Sequence, residues 1–221
     1  MTITVIVIGV IVAVLGRWLY MQGLATKPWL EQGPIGDVPA GGPIAMSTPK
    51  FGLFVFLAAI TSLFALFISA YAMRMELADW TPLPTPSLLW LNTGVLFMSS
   101  VGMQWAQSGA NRGSLKDVRN GLLAGGGFAL AFLAGQLLVW QELVDLGYYL
   151  KSDPAAAFFY LLTGLHGLHL IGGLIAWGIT TAKAWGGAKL ADVAVAVELC
   201  TVYWHFLLLI WLVLFGLLLT T

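Results

Sequence analysis

The sequence predicts an all-α, polytopic membrane bundle of six helices, and three observations carry that prediction. Only 9% of the 221 residues are charged while 59% are hydrophobic, against roughly a quarter charged in an ordinary soluble domain. Runs of about 20 apolar residues, the length that crosses the hydrocarbon core as a helix, recur between charged or Pro-rich breaks. Inside those runs the apolar residues are continuous rather than alternating, which speaks against the strands of a membrane barrel. A mean hydropathy of +0.89 leaves more apolar side chain than the interior of a water-soluble globule could hide.

The six runs lie near 2–20, 51–73, 88–106, 121–140, 155–177 and 193–219. The first lacks a basic start and a small-residue cleavage site, and Arg17 stands at its far end, so it is expected to be a retained anchor rather than a secretory signal. A Gly- and Pro-rich connection, MQGLATKPWLEQGPIGDVPAGGPIAMSTPK, follows without a helical period. The expected organisation is therefore 1–48, an N-terminal span with its cytoplasmic connection, and 49–221, a five-helix core. Between the second and third runs the prolines of DWTPLPTPSLLW stop a helix on either side and leave a short, stiff turn. Arg17, Lys27, Lys50, Arg112, Lys116, Arg119, Lys183 and Lys189 fall on one side of the membrane, and Arg74 and Lys151 on the other. That positive-inside bias turns both termini outward, which agrees with an even number of spans.

Several function classes drop out. Ten basic and ten acidic residues cancel, and no basic tract suggests nucleic acid. The single Cys200 can form neither an internal disulfide nor a multi-cysteine metal site. No Gly-x-Ser-x-Gly stretch, phosphate-cradling loop or nucleotide fingerprint occurs, and GLLAGGGF is more simply close helix packing. No internal repeat is visible, which weakens the case for a transporter built from inverted halves.

The ionisable residues inside the spans are His166 and His169 in the run 155–177, and Glu198 and His205 in the run 193–219. Positions 166 and 169 share a helix face, and Glu198 and His205 lie two turns apart on one stripe. Counted from opposite ends of an antiparallel pair, His166 and His205 both land near mid-membrane and could meet. Gly164, Gly167, Gly172, Gly173 and Gly178 would let that helix approach its neighbours closely. A charge at a helix centre costs roughly 2.5 to 3.5 kcal/mol on insertion scales while each Leu returns about 0.3 to 0.6. The Leu-rich end of the last run can therefore carry Glu198, and insertion alone dictates no site. Three readings stay open: interhelical packing by hydrogen-bonded imidazoles and carboxyl, a haem or metal site using facing histidines, and a proton or ion path.

Four stretches in register carry a resemblance. FYLLTGLHGLHLIGGLIAW and, some thirty residues on, VELCTVYWHFLLLIWLVLF look like the last two helices of subunit III of the haem-copper oxidases, most similar to cytochrome c oxidase subunit III. PSLLWLNTGVLFMSSVGMQWA resembles the family helix that opens with Leu-Asn-Thr, and ISAYAMR resembles the end of the helix before it. The resemblance covers about residues 49 to 221 in order. It implies an accessory, non-redox subunit of a proton-translocating respiratory complex in a bacterial inner membrane, with no catalytic centre, metal or cofactor of its own. Haem and copper are then expected in partner subunits I and II. The family role is to support assembly and proton uptake of the catalytic subunit and to hold phospholipids. By position, His166, His169, Glu198, Tyr203, Trp204 and His205 match the family's intramembrane polar set, with Arg74 and Asn92 matching two others.

The chain also departs from that pattern. FLAAITSLF offers Ala59, Ile60 and Thr61 where many members carry a buried acid, so a role built on that carboxylate does not transfer. Gln136 is kept, but Val139 stands where an acid is common, with Glu142 three positions on. Arg74, Trp90 and Trp105 are expected to hold lipid head groups at the outer edge, since Arg and Trp favour that level. A quinol oxidase would use a very similar third subunit, and a stand-alone transporter is the remaining alternative.

Overall fold

The structure is a computed structural model that describes Arg17 and residues 48–84, 86–151 and 153–220. The first expected span, apart from Arg17, and most of the Gly- and Pro-rich connection lie outside the described residues. Five helices follow in order: α1 (Thr48–Arg74), α2 (Leu88–Asn111), α3 (Leu115–Asp145), α4 (Pro154–Trp185) and α5 (Leu190–Leu219). No strand occurs among the described residues. The chain divides into two compact units, residues 1–54 and 55–221. All packing described below lies within the second.

Helices α1, α3, α4 and α5 are long and apolar enough to cross a membrane, which makes the chain an integral membrane protein. The run 88–106 was expected to be a span of the same kind, yet α2 is not among these four. Its sequence is diluted by Asn92, Thr93, Ser99, Ser100, Gln104, Gln107 and Ser108. Asn92, Ser99 and Ser100 are buried against neighbouring helices, so their polarity is hidden from lipid, whereas Gln104 is exposed.

Apolar runs also underestimate helix length. Helix α3 begins at Leu115, well before 121, because the Ser114 side chain accepts the Asp117 amide at 3.3 Å and so satisfies one of the orphan donors of the first turn. Asp153 does the same for Ala156 at 2.8 Å, and Pro154 opens α4, where its missing N–H is no loss. Gly113, at φ 75°, reverses the chain between α2 and α3 in a conformation that a side chain would resist.

The tightest pairing is α2 against α3. A Cβ on Gly102 would stand 2.6 Å from the Gly125 nitrogen, and one on Gly121 would stand 2.6 Å from the Ala106 Cα. No side chain fits at either position, so the two backbones touch along a stripe of small residues. GLLAGGGF thus supplies Gly121 and Gly125 to α2, while Gly126 receives the Trp177 ring of α4.

The glycines of α4 were expected to bring that helix close to its neighbours, and mostly they do not. Cβ atoms at Gly164 and Gly167 would sit 3.4 Å from Trp140 and 3.7 Å from Leu133, ordinary contact distances, and Gly172 and Gly178 would meet nothing within 4 Å. Only Gly173 lies hard against a neighbour, the Tyr203 ring. The reason is the size of what stands between the helices: Trp140 of α3 and Tyr203 of α5 reach toward α4, and Trp177 of α4 itself reaches to Gly126, filling the space that close backbones would otherwise share.

Helices α2 to α5 pack in turn, α5 against both α2 and α4, and α4 against α3. Among the described residues helix α1 has no comparably close backbone partner. Rings reach across to it instead, Phe56 to Tyr203 at 6.1 Å, Phe64 to His169 at 5.5 Å and Tyr71 to Phe158 at 5.4 Å.

Candidate functional site

The polar side chains inside the spans resolve into a set of bonds between helices, each placed by the packing just described. Trp204 Nε1–H on α5 donates to Ser99 Oγ on α2 at 2.9 Å, and Ser99 O–H donates in turn to the Gly125 carbonyl on α3 at 2.6 Å. One chain of hydrogen bonds thereby crosses three helices. Thr201 lies one turn from Trp204 and donates both within α5, to Val197 O at 2.8 Å, and across to Met103 O at 3.2 Å. In hydrocarbon such groups have no water to fall back on, so each bond sets the register of the pair it joins.

A second layer lies further along the same helices. Asn92 Nδ2–H donates to Gln136 Oε1 at 3.2 Å, and Asn92 fills the notch left by Gly135. Trp211 Nε1–H donates to Thr93 Oγ1 at 2.9 Å, and Trp140 Nε1–H to Thr163 Oγ1 at 3.1 Å. His166 sits among these groups, fully buried, edge-on to Phe132 at 5.7 Å and tilted against Trp211 at 5.1 Å. Neither of its ring nitrogens has a hydrogen-bond partner among the described residues, and neither does Gln136 Nε2. Contact with aromatic faces gives the imidazole only weak compensation.

His166 and His205 were expected to meet, and they do not. His205 turns the other way, accepting from Ser100 Oγ–H at Nδ1 and reaching Gln104 Oε1 through Nε2 at 2.9 Å, both partners lying on α2. His166 packs on Trp211, while Gly173, two turns along α4, packs on Tyr203 and Trp204 beside His205, so the two imidazoles are offset along their helices as well as turned apart. His169 donates Nδ1–H to the Leu165 carbonyl of its own helix at 2.8 Å, while its backbone carbonyl accepts from the Tyr203 hydroxyl at 2.9 Å. Glu198 is half-buried on α5.

At the Leu88 end of the bundle Arg74 grips Asp79 through two bonds of 2.6 and 2.5 Å. Those bonds hold the Asp79 carboxyl below the usual carboxylate range. Trp90 is 61% exposed near this end, edge-on to Phe215 at 4.8 Å. Trp105 is also exposed, but it lies fifteen positions along α2, about 22 Å at a helical rise of 1.5 Å per residue. Arg74, Trp90 and Trp105 therefore cannot share one head-group level. At the opposite end Arg119 caps α4, donating to Ala184 O at 2.9 and 3.1 Å with its guanidinium 5.4 Å from the Trp185 ring. This replaces an unmet acceptor of the last turn with a cation.

Attention to ionisable residues inside the spans passes over the hydroxyls and amide of Thr93, Ser99, Ser100, Gln104, Thr163 and Thr201, and the count of basic residues by side gives Arg119 no partner. For Ser99 and Ser100 a signal was present in the run SSVGM, where two hydroxyls stand beside Gly102, a residue small enough for backbones to touch. Among the described residues no group of three or more His, Cys, Asp and Glu side chains is arranged to hold a metal ion.

Comparison with known proteins agrees on one family. The family model described as Cytochrome c oxidase subunit III matches residues 38–219. The chain is 31% identical over 172 residues to cytochrome c oxidase subunit 3 of Thermostichus vulcanus, covering 76% of this chain and 84% of that one. It is 34% identical over 157 residues to a probable cytochrome c oxidase subunit 3 of Mycobacterium tuberculosis, covering 69% and 76%. With the Synechocystis subunit 3 it shares 30% identity over 174 residues, 75% of this chain and 72% of its relative. The chain is a member of the cytochrome c oxidase subunit III family.

Proposed function

We propose that this chain is the non-redox accessory subunit III of a cytochrome c oxidase, working beside haem- and copper-bearing subunits I and II in a bacterial cell membrane. One observation carries the reading: the subunit III family match runs through the whole described bundle, while its intramembrane histidines are committed to neighbouring helices and aromatic rings. Such a chain can shape and hold a partner. Moving electrons falls to the chains that carry the redox centres.

The finer parts of the proposal follow the sequence. Residues 1–48 supply a sixth span and its cytoplasmic connection, 49–221 the five-helix core, and both termini face outward, as the distribution of Lys and Arg asks. His166, His169, Glu198, Tyr203, Trp204 and His205, with Asn92, serve as fasteners within the bundle or toward a neighbour. Arg74 and Trp90 hold phospholipid at one membrane level and Trp105 at the other. In this role the chain supports assembly and proton uptake of the catalytic subunit.

Purification of the tagged chain from its own membranes in mild detergent tests the reading. Haem-bearing polypeptides are expected to come with it, and the visible spectrum is expected to belong to them. A chain that purifies alone, or that itself retains an iron porphyrin, would overturn the proposal. Quantifying retained phospholipid in Arg74→Ala and Trp90→Ala complexes tests the lipid part separately, with loss of bound lipid expected.

A further inference from the structure

Helix α5 is the most enclosed of the five, and one narrow stripe of it stays open. Val195, Glu198, Val202, His205, Leu209 and Leu212 follow one another along that stripe at helical spacing, each exposed or half-buried. His205 stands near the midpoint of the helix, and Gln104 beside it on α2 is exposed as well. Elsewhere the large outward side chains at mid-span suit lipid: Phe128 and Leu130 on α3, Leu168 and Ile171 on α4. An imidazole and a carboxamide on the outer surface at this depth are of a different kind. Hydrocarbon offers them nothing to bond, and polar groups inside membranes generally face protein or a water-filled cavity.

Their mutual bonds define what is left over. Ser100 Oγ–H donates to His205 Nδ1, so the ring proton sits on Nε2 and is donated to Gln104 Oε1 at 2.9 Å. Both imidazole nitrogens and the amide oxygen are then engaged. The two N–H groups of the Gln104 carboxamide are spent on neither bond. The seam therefore presents donors in need of an acceptor.

We infer that the α2–α5 seam at Ser100, Gln104 and His205 is a docking face for a transmembrane helix of another chain, one that presents an acceptor oxygen at the depth of His205. The inference rests on the reading of this chain as an oxidase subunit and names the face that meets a partner. Only a helix can bring an oxygen to that depth while keeping its own backbone bonded. A second copy of this chain is the rival occupant, since the Ser100 and Gln104 oxygens each keep a lone pair that can meet the amide of a facing triad.

The test uses the intact complex in its native membrane. A photoreactive side chain installed at Val101 or Leu212, exposed positions flanking the polar triad, is illuminated beside a control at Leu168 on α4. Adducts with a different polypeptide are expected from 101 and 212, with lipid adducts from 168. Loss of the protein adducts when Gln104→Leu is added, in complexes that still contain this chain, would tie them to the triad. Lipid adducts alone from 101 and 212, in a complex that still holds haem-bearing chains, would overturn the docking face and leave the subunit reading intact. Adducts to a second copy would overturn the stated occupant. A chain that brings no haem-bearing partner through purification would overturn both.

Discussion

Helices α2 and α3 on one side, and α1 on the other, show two ways of joining helices where the hydrophobic effect offers little help. Between α2 and α3 the backbones touch through glycines, and hydroxyls bond directly to main-chain carbonyls, as Ser99 does to Gly125. Among the described residues helix α1 meets its neighbours through rings at centroid distances of 5.4 to 6.1 Å and has no comparably close backbone pairing. The first kind of joint has one geometry and no slack. The second tolerates sliding, because an edge-on ring pair keeps most of its attraction over a range of offsets. A rigid block for partners and a more compliant neighbouring helix follow from that difference.

The sharpest way to break the contrast is to put a side chain into the tight joint. Gly102→Val or Gly121→Val would force a Cβ into the facing backbone. Overpacking a well-filled interior costs about 1 to 3 kcal/mol when side chains can move aside, and here the obstacle is main chain. Both variants are expected to abolish accumulation of folded chain in membranes, measured by detergent-resistant yield. Gly127→Val, at a site with nothing within 4 Å, is expected to accumulate normally. Equal yields for all three would refute the tight joint.

Next comes the hydrogen-bonded thread across three helices. Trp204→Phe and Ser99→Ala remove opposite ends of one bond. Interhelical bonds in membranes average about 0.6 kcal/mol and reach about 1.7, and a buried bond with a second link behind it belongs toward the upper end. A double-mutant cycle on thermal inactivation should therefore return a coupling of about 1 kcal/mol. A value indistinguishable from zero would mean the indole is held by packing alone.

How much of this could be read from the chain depended on which physical signal each feature leaves. All five described helices announce themselves as apolar runs, and in four of them the run is apolar enough to cross a membrane, because lipid contact demands continuous apolarity whatever the packing. Their ends at Ser114 and Asp153 do not, since a cap is a local bond rather than a hydropathy step. The family was legible because LHGLH, VELCTVYWHF and the Leu-Asn-Thr opening stand in order at matching separations. The expected pairing of His166 with His205 fails because the register of α5 against α4, fixed where Tyr203 meets Gly173 and Trp211 meets His166, does not follow from counting residues in from the helix ends. The glycines misled for a related reason. A glycine marks room on a helix, and only the neighbour decides whether backbone or an indole takes it.

The compliant joint makes a smaller prediction. Tyr71 is fully enclosed by Trp80 at 5.0 Å and Phe158 at 5.4 Å, both edge-on. Tyr71→Leu keeps apolar bulk and loses ring geometry worth about 0.5 to 1.5 kcal/mol per pair. Faster amide exchange is expected in the 71–80 region, with exchange across α2 and α3 unchanged. Acceleration spreading into α2 would show that α1 is coupled to the block more tightly than its ring contacts imply.

The smallest effect belongs to Arg74 and Asp79 at the end of α1. The guanidinium bonds favour the ionised carboxylate, and Asp79 titrates below its ordinary value of 3.8. A carboxyl depressed in the folded state contributes stability above its unfolded value and loses that contribution as pH falls through the folded one. The window therefore lies below 3.8, and near neutral pH the bridge contributes in full. Both partners face solvent, where such pairs are screened by salt and contribute little. Asp79→Asn is accordingly expected to leave neutral-pH stability of the complex almost unchanged while altering exchange only in the 74–80 turn. A large loss of assembly in Asp79→Asn would mean that this ion pair orients α1 against its neighbours, and that the ring contacts are not the main joint after all.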